Sequence, residues 1–406
     1  SRRKGVIASR FFGRPSDRLH VIAVTGTNGK TSCSHFVASM LNGLGRSCGV
    51  MGTLGFGLPG ALAEPGLTTP GAIDLQSRLA ALVAAGCDSV CLEASSHGLH
   101  QGRLEGTRIA ISIFTNITRD HLDYHETFSD YKAAKRTLFH WSGLQSAVIN
   151  VDDDFGRELA QTLPAEVRVL TFSTRDTAAD VYASSISYRA DGFVADIVTP
   201  WGTGEIDSGL LGEFNVSNLL SAVTVAGLMG YDVADVTRVA GTIETTPGRM
   251  DALRSPGRPL VVIDYAHTPD ALEKALHAAR QHCRGRLVGV VGCGGDRDRG
   301  KRPMMGRILA AEADTGIVTD DNPRFESSRD IIDEILEGIE ERSNITVEPD
   351  RRRAIRLAIE GAGEDDVVVI AGKGHEPYQE IRGEKLPYSD YDEVKRIFEA
   401  TWQASQ

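Results

Sequence analysis

The residues best suited to chemistry come early. Gly26-Thr27-Asn28-Gly29-Lys30-Thr31-Ser32 follows the apolar run Val21 to Val24 and precedes a helical face of Phe36, Val37, Met40, Leu41 and Leu44. In a strand, glycine loop and helix, backbone N–H groups and the helix N-terminus face an anion; Lys30 would meet terminal phosphates and Thr31 offer a hydroxyl to magnesium. The spacing is short, however. The usual G-x-x-x-x-G-K-[ST] pattern needs glycine where Val24 stands, and only two residues separate Gly26 from Gly29. Spacing alone therefore leaves two readings, a phosphate cradle or a tight turn.

Two further clusters could complete such a site. In "LEASSHGLHQGRLEG", Glu93 ends an apolar run, with Ser95, Ser96, His97, Gln101 and Arg103 just beyond it. A strand-end carboxylate could join a magnesium shell, or the segment could be a helix cap with exposed polar residues. "TNITRDHLDYHETFSDYKAAKRTLF" crowds Asn116, Asp120, His121, Asp123, His125 and Lys135 behind another strand. Its spacing matches no tetrahedral zinc pattern, and by itself it reads as a solvated helix start.

The elements that must position these clusters follow from the apolar rhythm. Short apolar runs alternate with helical patterns, the signature of parallel α/β sheets. "SCGVMGT", "SVCLEAS", "IAISIFTNI", "SAVINVD" and "VRVLTFS" are strand candidates of one sheet domain. From Val181 to Gly212 alternating short runs with glycine and proline suggest a small antiparallel insert. A helix is expected at "NVSNLLSAVTVAGLMG". The domain boundary is placed near Pro247, and "LVVIDYAH", "RLVGVVGCGG", "TGIVTDDNP" and "DDVVVIAGKG" give the strands of a second α/β domain. Each ends in a polar cluster, where open parallel sheets bind ligands.

Composition limits the partners. The chain has 406 residues, 41% hydrophobic and 24% charged, enough for two or three cored domains. A formal net charge of −11 without a clustered basic face argues against a nucleic-acid surface. No apolar run approaches the roughly 20 residues needed to span a bilayer, and no signal peptide is apparent. The six cysteines include no C-x-x-C pair and sit mostly in apolar contexts, which predicts reduced thiols in a cytoplasmic protein.

Taken together, "TGTNGKT", "EASSHGL", "TNITRDHLDYH", "YKAAKRTLF", "GEFNVSNLLSA", "TPGRMD", "DYAHTPDAL", "GCGGDRDRGKRP", "DDNPR" and "GKGHE" resemble the Mur ligases, in the same order and over essentially the whole chain. In that family the short G-T-N-G-K-T loop is the normal ATP loop. The resemblance implies an α/β fold: a central P-loop ATPase-like parallel-sheet domain (21–246) with a small antiparallel insert, and a C-terminal Rossmann-like, amino-acid-binding domain (247–406). Residues 1–20 resemble the linker and tail of a further N-terminal domain that normally contacts uridine, a domain the chain is expected to lack. The implied activity is ATP-dependent amide formation through an acyl phosphate, adding meso-diaminopimelate to UDP-N-acetylmuramoyl-L-alanyl-D-glutamate in peptidoglycan precursor synthesis. A Mur-like ligase for another amine or acceptor, and a noncatalytic ATP-binding module, are the alternatives.

Residue roles carry over position by position. Gly26, Thr27, Asn28, Gly29, Lys30, Thr31 and Ser32 would hold ATP phosphates, with Asn215 and Asn218 near the adenine and Arg249 and Asp264 reaching the nucleotide from the second domain. Thr31 and Glu93 would hold one Mg2+, and His121 and Lys135 a second; the family carbamylates this lysine, turning a cation into an oxygen ligand. Lys30, Lys135, His121 and Glu93 form the implied catalytic set. Thr68, Thr69, Ser95, Gln101 and Arg103 would contact the UDP-muramoyl peptide. Arg297, Asp321, Asn322, Pro323, Arg324, Gly372 and Glu376 would take diaminopimelate, Arg324 pairing its far carboxylate and Glu376 its far ammonium. His267 is either a base or a structural imidazole. The expected partners are these small molecules only, and the expected state is a monomer.

Overall fold

The computed structural model describes residues 2–63, 66–121 and 124–404, so Asp123 lies outside the described residues. Its contacts divide the chain into two compact units, 1–187 with 193–209 and 213–244, and 245–406 with 188–192 and 210–212.

The first unit is organised by one sheet of eleven strands. In chain order these are β1 (His20–Thr25), β2 (Cys48–Gly52), β3 (Gly55–Leu58), β4 (Ala61–Ala63), β5 (Ser89–Glu93), β6 (Ile111–Phe114), β7 (Ser146–Asn150), β8 (Arg168–Ser173), β9 (Val181–Arg189), β10 (Gly192–Thr199) and β11 (Gly202–Ser208). Their spatial order is β11-β10-β9-β8-β7-β6-β1-β5-β2-β3-β4. The central strands are parallel and almost wholly buried, which is why they read as unbroken apolar runs rather than alternating ones. The antiparallel segment from Val181 onward is no separate layer. β9 pairs parallel with β8, so β9 to β11 extend the edge of the same sheet.

Register gathers the first unit's polar clusters. Val24 lies opposite Glu93, and Thr25 opposite Phe114, so the loops after β1, β5 and β6 leave the sheet along one carboxyl edge. Beneath them Phe114 meets Phe155 edge-on at 5.5 Å and Phe139 at 6.3 Å, a favoured aromatic geometry that fixes the end of β6. The helix Glu213–Leu228 buries residues around its circumference, from Asn215 and Asn218 to Val223 and Val225.

The second unit repeats the logic on a smaller sheet. β12 (Asp251–Leu253), β13 (Leu260–Asp264), β14 (Leu287–Val291), β15 (Thr315–Val318), β16 (Ile345–Val347) and β17 (Val367–Ala371) lie in the order β12-β13-β17-β14-β15-β16. β12 is antiparallel to β13; the other pairs are parallel. Asp264 lies opposite Ala371, bringing the ends of β13 and β17 together. A two-stranded ribbon follows, β18 (Tyr378–Ile381) with β19 (Glu384–Pro387). Arg351 and Asp390, both buried, pair through two contacts of 2.8 Å, and Arg351 also donates to the Ala371 carbonyl at 3.0 Å. That pair joins the final helix to the end of β17. All six cysteines are free thiols. Among the described residues no helix is long and apolar enough to cross a membrane.

Candidate active site

The glycine loop is bolted to the segment after β6. Thr27 N–H donates to the Asn116 carbonyl, Asn28 N–H to Asn116 Oδ1 at 3.0 Å, and Thr115 Oγ1 to the Asn28 carbonyl at 2.6 Å. Thr27 Oγ1 lies 2.9 Å from the Tyr131 hydroxyl. Two glycines are obligatory here. A Cβ on Gly26 would fall 1.8 Å from Thr115 Oγ1, and Gly29, at φ 82°, would place one 2.7 Å from Asn218 Oδ1. Gly29 caps the helix Lys30–Gly43, so its N-terminal amides open onto the loop. The short spacing is thus a tight loop between β1 and a helix, with geometry suited to an anion.

Around that loop the first unit assembles the expected cation and metal groups. Lys30 Nζ lies over the loop, donating to the carbonyls of Thr27 at 2.7 Å and Gly26 at 3.0 Å. Thr31 Oγ1 is 3.1 Å from both oxygens of the buried Glu93. Thr53 adds its N–H to Glu93 Oε1 at 2.8 Å and its hydroxyl to Oε2 at 3.2 Å. A hydroxyl beside a buried carboxylate at the head of a phosphate loop is an oxygen donor set that suits Mg2+, so the residues present fit that ion. Among the described residues no group of three His, Cys, Asp or Glu side chains converges as a metal site.

Lys135 is more unusual. It is 1% exposed, its Nζ donates to the Gly26 carbonyl at 2.6 Å, and it lies 4.5 Å from the centre of the Tyr131 ring. Burial, reinforced by the Lys30 charge, holds its pKa well below the ordinary lysine range. His121 approaches the same Tyr131 ring at 6.0 Å and the His97 ring at 5.0 Å, with Asp120 at 3.5 Å from its Nε2. His121 and Lys135 are therefore neighbours through Tyr131 and share no direct bond among the contacts described.

The residues expected to meet a muramoyl peptide form one network continuous with Glu93. Thr69 Oγ1 donates to the Glu93 carbonyl at 2.8 Å and lies 3.0 Å from Ser95 Oγ; Arg103 donates to the Thr69 carbonyl at 2.7 Å and to Gln101 Oε1. Thr68 joins through Thr53 at 3.1 Å. Asn215 and Asn218 are buried, linked at 3.3 Å, with Cys33 Sγ 3.2 Å from Asn218 Oδ1. Asn218 lies directly beneath Gly29.

In the second unit, Asp264 accepts the Met250 N–H at 2.7 Å, and burial pushes its carboxyl up to about 6 against the pull of Arg249. Arg249 stacks over Tyr265 at 4.9 Å. His267 Nδ1 is 2.8 Å from the Tyr265 carbonyl, which fixes Nδ1 as the protonated nitrogen of the neutral ring. Asn322 Nδ2 donates to Glu376 Oε2 at 2.9 Å. Arg324, at φ 52°, donates to the Gly295 carbonyl at 2.8 Å and pairs with Glu380 at 3.2 Å. Asp321 Oδ1 accepts the Asn322 N–H, and Gly372 N–H donates to the Asp264 carbonyl. Pro323 carries the chain into Arg324. Arg297 is exposed next to Gly294, and no described hydrogen bond or ion pair ties it to Asn322 or Glu376.

Sequence reasoning passed over Thr53, Tyr131, Lys373 and Glu380. Thr53 was signalled only by standing at a strand end, and Lys373 only by its place inside "GKGHE".

A strand-edge phosphate loop with a Thr–Glu pair in one α/β unit, and a polar strand edge in the other, are the parts of an ATP-type ligase. The Mur ligase middle domain model matches residues 24–226, and the Mur ligase, glutamate ligase domain model matches 248–374; the chain belongs to the Mur ligase family. Among its relatives is the UDP-N-acetylmuramoyl-L-alanyl-D-glutamate–2,6-diaminopimelate ligase of Pseudomonas aeruginosa, 48% identical over 98% of this chain and 81% of the relative. The Coxiella burnetii protein of the same name is 44% identical over 97% of this chain and 81% of its own length. A solved structure of a ligase of that name superimposes with a TM-score of 0.75, at 41% identity, over 98% of this chain and 82% of that one. Folylpolyglutamate synthase from Mycobacterium tuberculosis, at 20% identity and a TM-score of 0.72 over 92% of both chains, shares the fold.

Proposed function

We propose that this chain is the ATP-dependent ligase that joins meso-diaminopimelate to the glutamyl carboxylate of UDP-N-acetylmuramoyl-L-alanyl-D-glutamate. The observation that carries the reading is the Thr31–Glu93 pair at the head of the Lys30 loop, in a chain 48% identical to a ligase of that name. The γ-phosphoryl group of ATP passes to the glutamyl carboxylate, giving an acyl phosphate; the amine then attacks the acyl carbon, phosphate leaves and the amine loses a proton. Two anions must first approach each other. Lys30 and the loop amides hold the triphosphate and offset that repulsion. Thr31 and Glu93 would hold Mg2+, whose chemistry is to neutralise charge on the phosphoryl oxygens. Thr69, Ser95, Gln101 and Arg103 orient the muramoyl peptide at the same sheet edge.

Lys135 fits a carbamate. An ammonium cannot ligate a metal, but a lysine whose burial favours the neutral amine has a lone pair available to add carbon dioxide, and the product is an anionic oxygen ligand. His121 and the Lys135 carbamate would hold a second Mg2+. In the second unit Arg249 and Asp264 address the nucleotide, and Asp321, Asn322, Pro323, Arg324, Gly372 and Glu376 the amine, with Arg297 at the rim.

The deciding experiment supplies the protein with Mg-ATP, the muramoyl dipeptide nucleotide and a panel of amines, and identifies products by mass spectrometry. A diaminopimelate adduct formed in preference to a lysine adduct is expected. ADP formation without any amide product would leave only an ATP-hydrolysing module, and an adduct with a different amine would reassign the substrate.

A further inference from the structure

Lys373 is fully buried just beyond β17, and the chemistry above makes no use of its charge. Its Nζ donates to Asn322 Oδ1 at 2.8 Å and to Glu376 Oε2 at 3.2 Å. Asn322 Nδ2 donates to the same Glu376 oxygen at 2.9 Å, and Asn322 Oδ1 also accepts the Glu380 N–H at 2.9 Å. These bonds force one another's orientation. With two donors aimed at its oxygen, the Asn322 amide must turn its nitrogen toward Glu376; flipped, it would set N–H groups against an ammonium and an oxygen against a carboxylate. Oε2 is then taken by two donors. Glu376 keeps Oε1, on a side chain 18% exposed. The Tyr378 and Tyr388 rings stand 5.6 and 5.9 Å from Nζ and help to hold a cation there.

We infer that Lys373 is a positioning residue for the amine substrate: it locks Glu376 so that Oε1 alone is presented to the distal ammonium of diaminopimelate. The inference rests on the amine-site reading proposed above. Through Asn322, the lock also ties the "GKGHE" turn to the "DDNPR" turn that carries Arg324. Guanidinium and carboxylate are thereby held in a fixed relation, as required to grip a carboxylate and an ammonium that share one carbon of the substrate. A buried ammonium is costly unless paired, so its retention here is accounted for by the orientation it imposes.

The test uses Lys373→Met and two amines, diaminopimelate and 2-aminopimelate, the second keeping the distal carboxylate and lacking the distal ammonium. Wild type should prefer diaminopimelate. Lys373→Met should raise KM for diaminopimelate about tenfold or more, the scale of one hydrogen bond to a charged group, while KM for ATP stays unchanged and the preference between the amines collapses. A general weakening of the unit would move both amines together, and that result would overturn the inference. Should Lys373→Met fail to fold, Lys373→Gln/Glu376→Gln removes both charges. It should show the same amine ratio as Glu376→Gln alone, and a further fall in the ratio would show that Lys373 acts elsewhere. A wild type that joins no diaminopimelate overturns the proposed function, and this inference with it.

Discussion

Lys30 and Lys135 are two lysines aimed at one carbonyl, that of Gly26, and they do opposite work. Lys30 is partly accessible at the loop, where the proposed function has it supply charge to the phosphates. Lys30→Ala should therefore keep the fold and lose roughly a hundredfold or more in kcat, as when one transition-state donor is removed; circular dichroism and product assay on the same sample check both halves. Lys135 is buried, which lowers its pKa, and the proposed function gives it a role through the carbon dioxide that can be added to it. Activity should fall when bicarbonate and carbon dioxide are stripped from the buffer, and return on their readdition; intact-protein mass should show one added carboxylate that Lys135→Ala lacks. Asp264 sets a pH limit. Its carboxyl is raised to about 6, so the folded state holds a proton that an ordinary carboxyl has lost. The stability tied to that proton is fully present below the ordinary aspartate range near 4 and is lost as pH rises toward 6. In the proposed function the dependence runs the other way, because only the ionised form attracts the Arg249 charge. kcat/KM for ATP should fall below about pH 6 in wild type and be low and flat in Asp264→Asn.

At the scale of elements, strand ends decide where chemistry can sit. β1, β5 and β6 stop in register, and their following loops must share one edge. The second unit relies instead on clamps. Arg351 at the start of its helix and Asp390 at the start of the last one are both buried, and Tyr388 donates to Asp390 at 2.8 Å. Breaking the pair from one side leaves a buried charge alone. Arg351→Met should cost about 3–5 kcal/mol in urea unfolding, and Arg351→Met/Asp390→Leu should recover much of it. Because Arg351 also holds the Ala371 carbonyl, the single variant should weaken diaminopimelate binding as well as stability.

For the molecule as a whole, the choice of amine determines which product leaves. In the proposed amine site, lysine lacks the distal carboxylate and so adds nothing to the contacts Arg324 already makes with Glu380 and the Gly295 carbonyl, whereas diaminopimelate brings a further charged acceptor. Arg324→Ala should lose about 1.5 to 3 kcal/mol toward diaminopimelate, roughly tenfold to over a hundredfold in kcat/KM, with little change toward lysine. Measured kcat/KM for both amines gives the answer, and an unchanged ratio would leave "DNPR" as a turn alone.

Much of this protein was legible in its residues. Buried parallel strands must be apolar throughout, so β1, β2 and β5 to β8 announced themselves, and strand ends in such sheets must carry the polar groups. The phosphate loop was visible as a motif. That Gly26 and Gly29 could not be otherwise was not, because the atoms that forbid a Cβ, Thr115 Oγ1 and Asn218 Oδ1, are distant in sequence. The hairpin β3–β4 escaped notice because short, glycine-bearing edge strands lack a strong period. Lys135 was marked out only by the family resemblance; its own neighbours read as a polar helix, since burial is a property of what packs around a residue and not of its neighbours in the chain. Lys373, fifty-one positions from Asn322, could be joined to it only by folding, for a hydrogen bond is decided by distance in space. Local composition therefore determined the elements and the menu of reactive groups, and the family resemblance matched Thr31 with Glu93 and singled out Lys135; tertiary packing, which acts through distances the chain order does not fix, decided the bonds themselves, the burial of Lys135, and which oxygen of Glu376 took two donors.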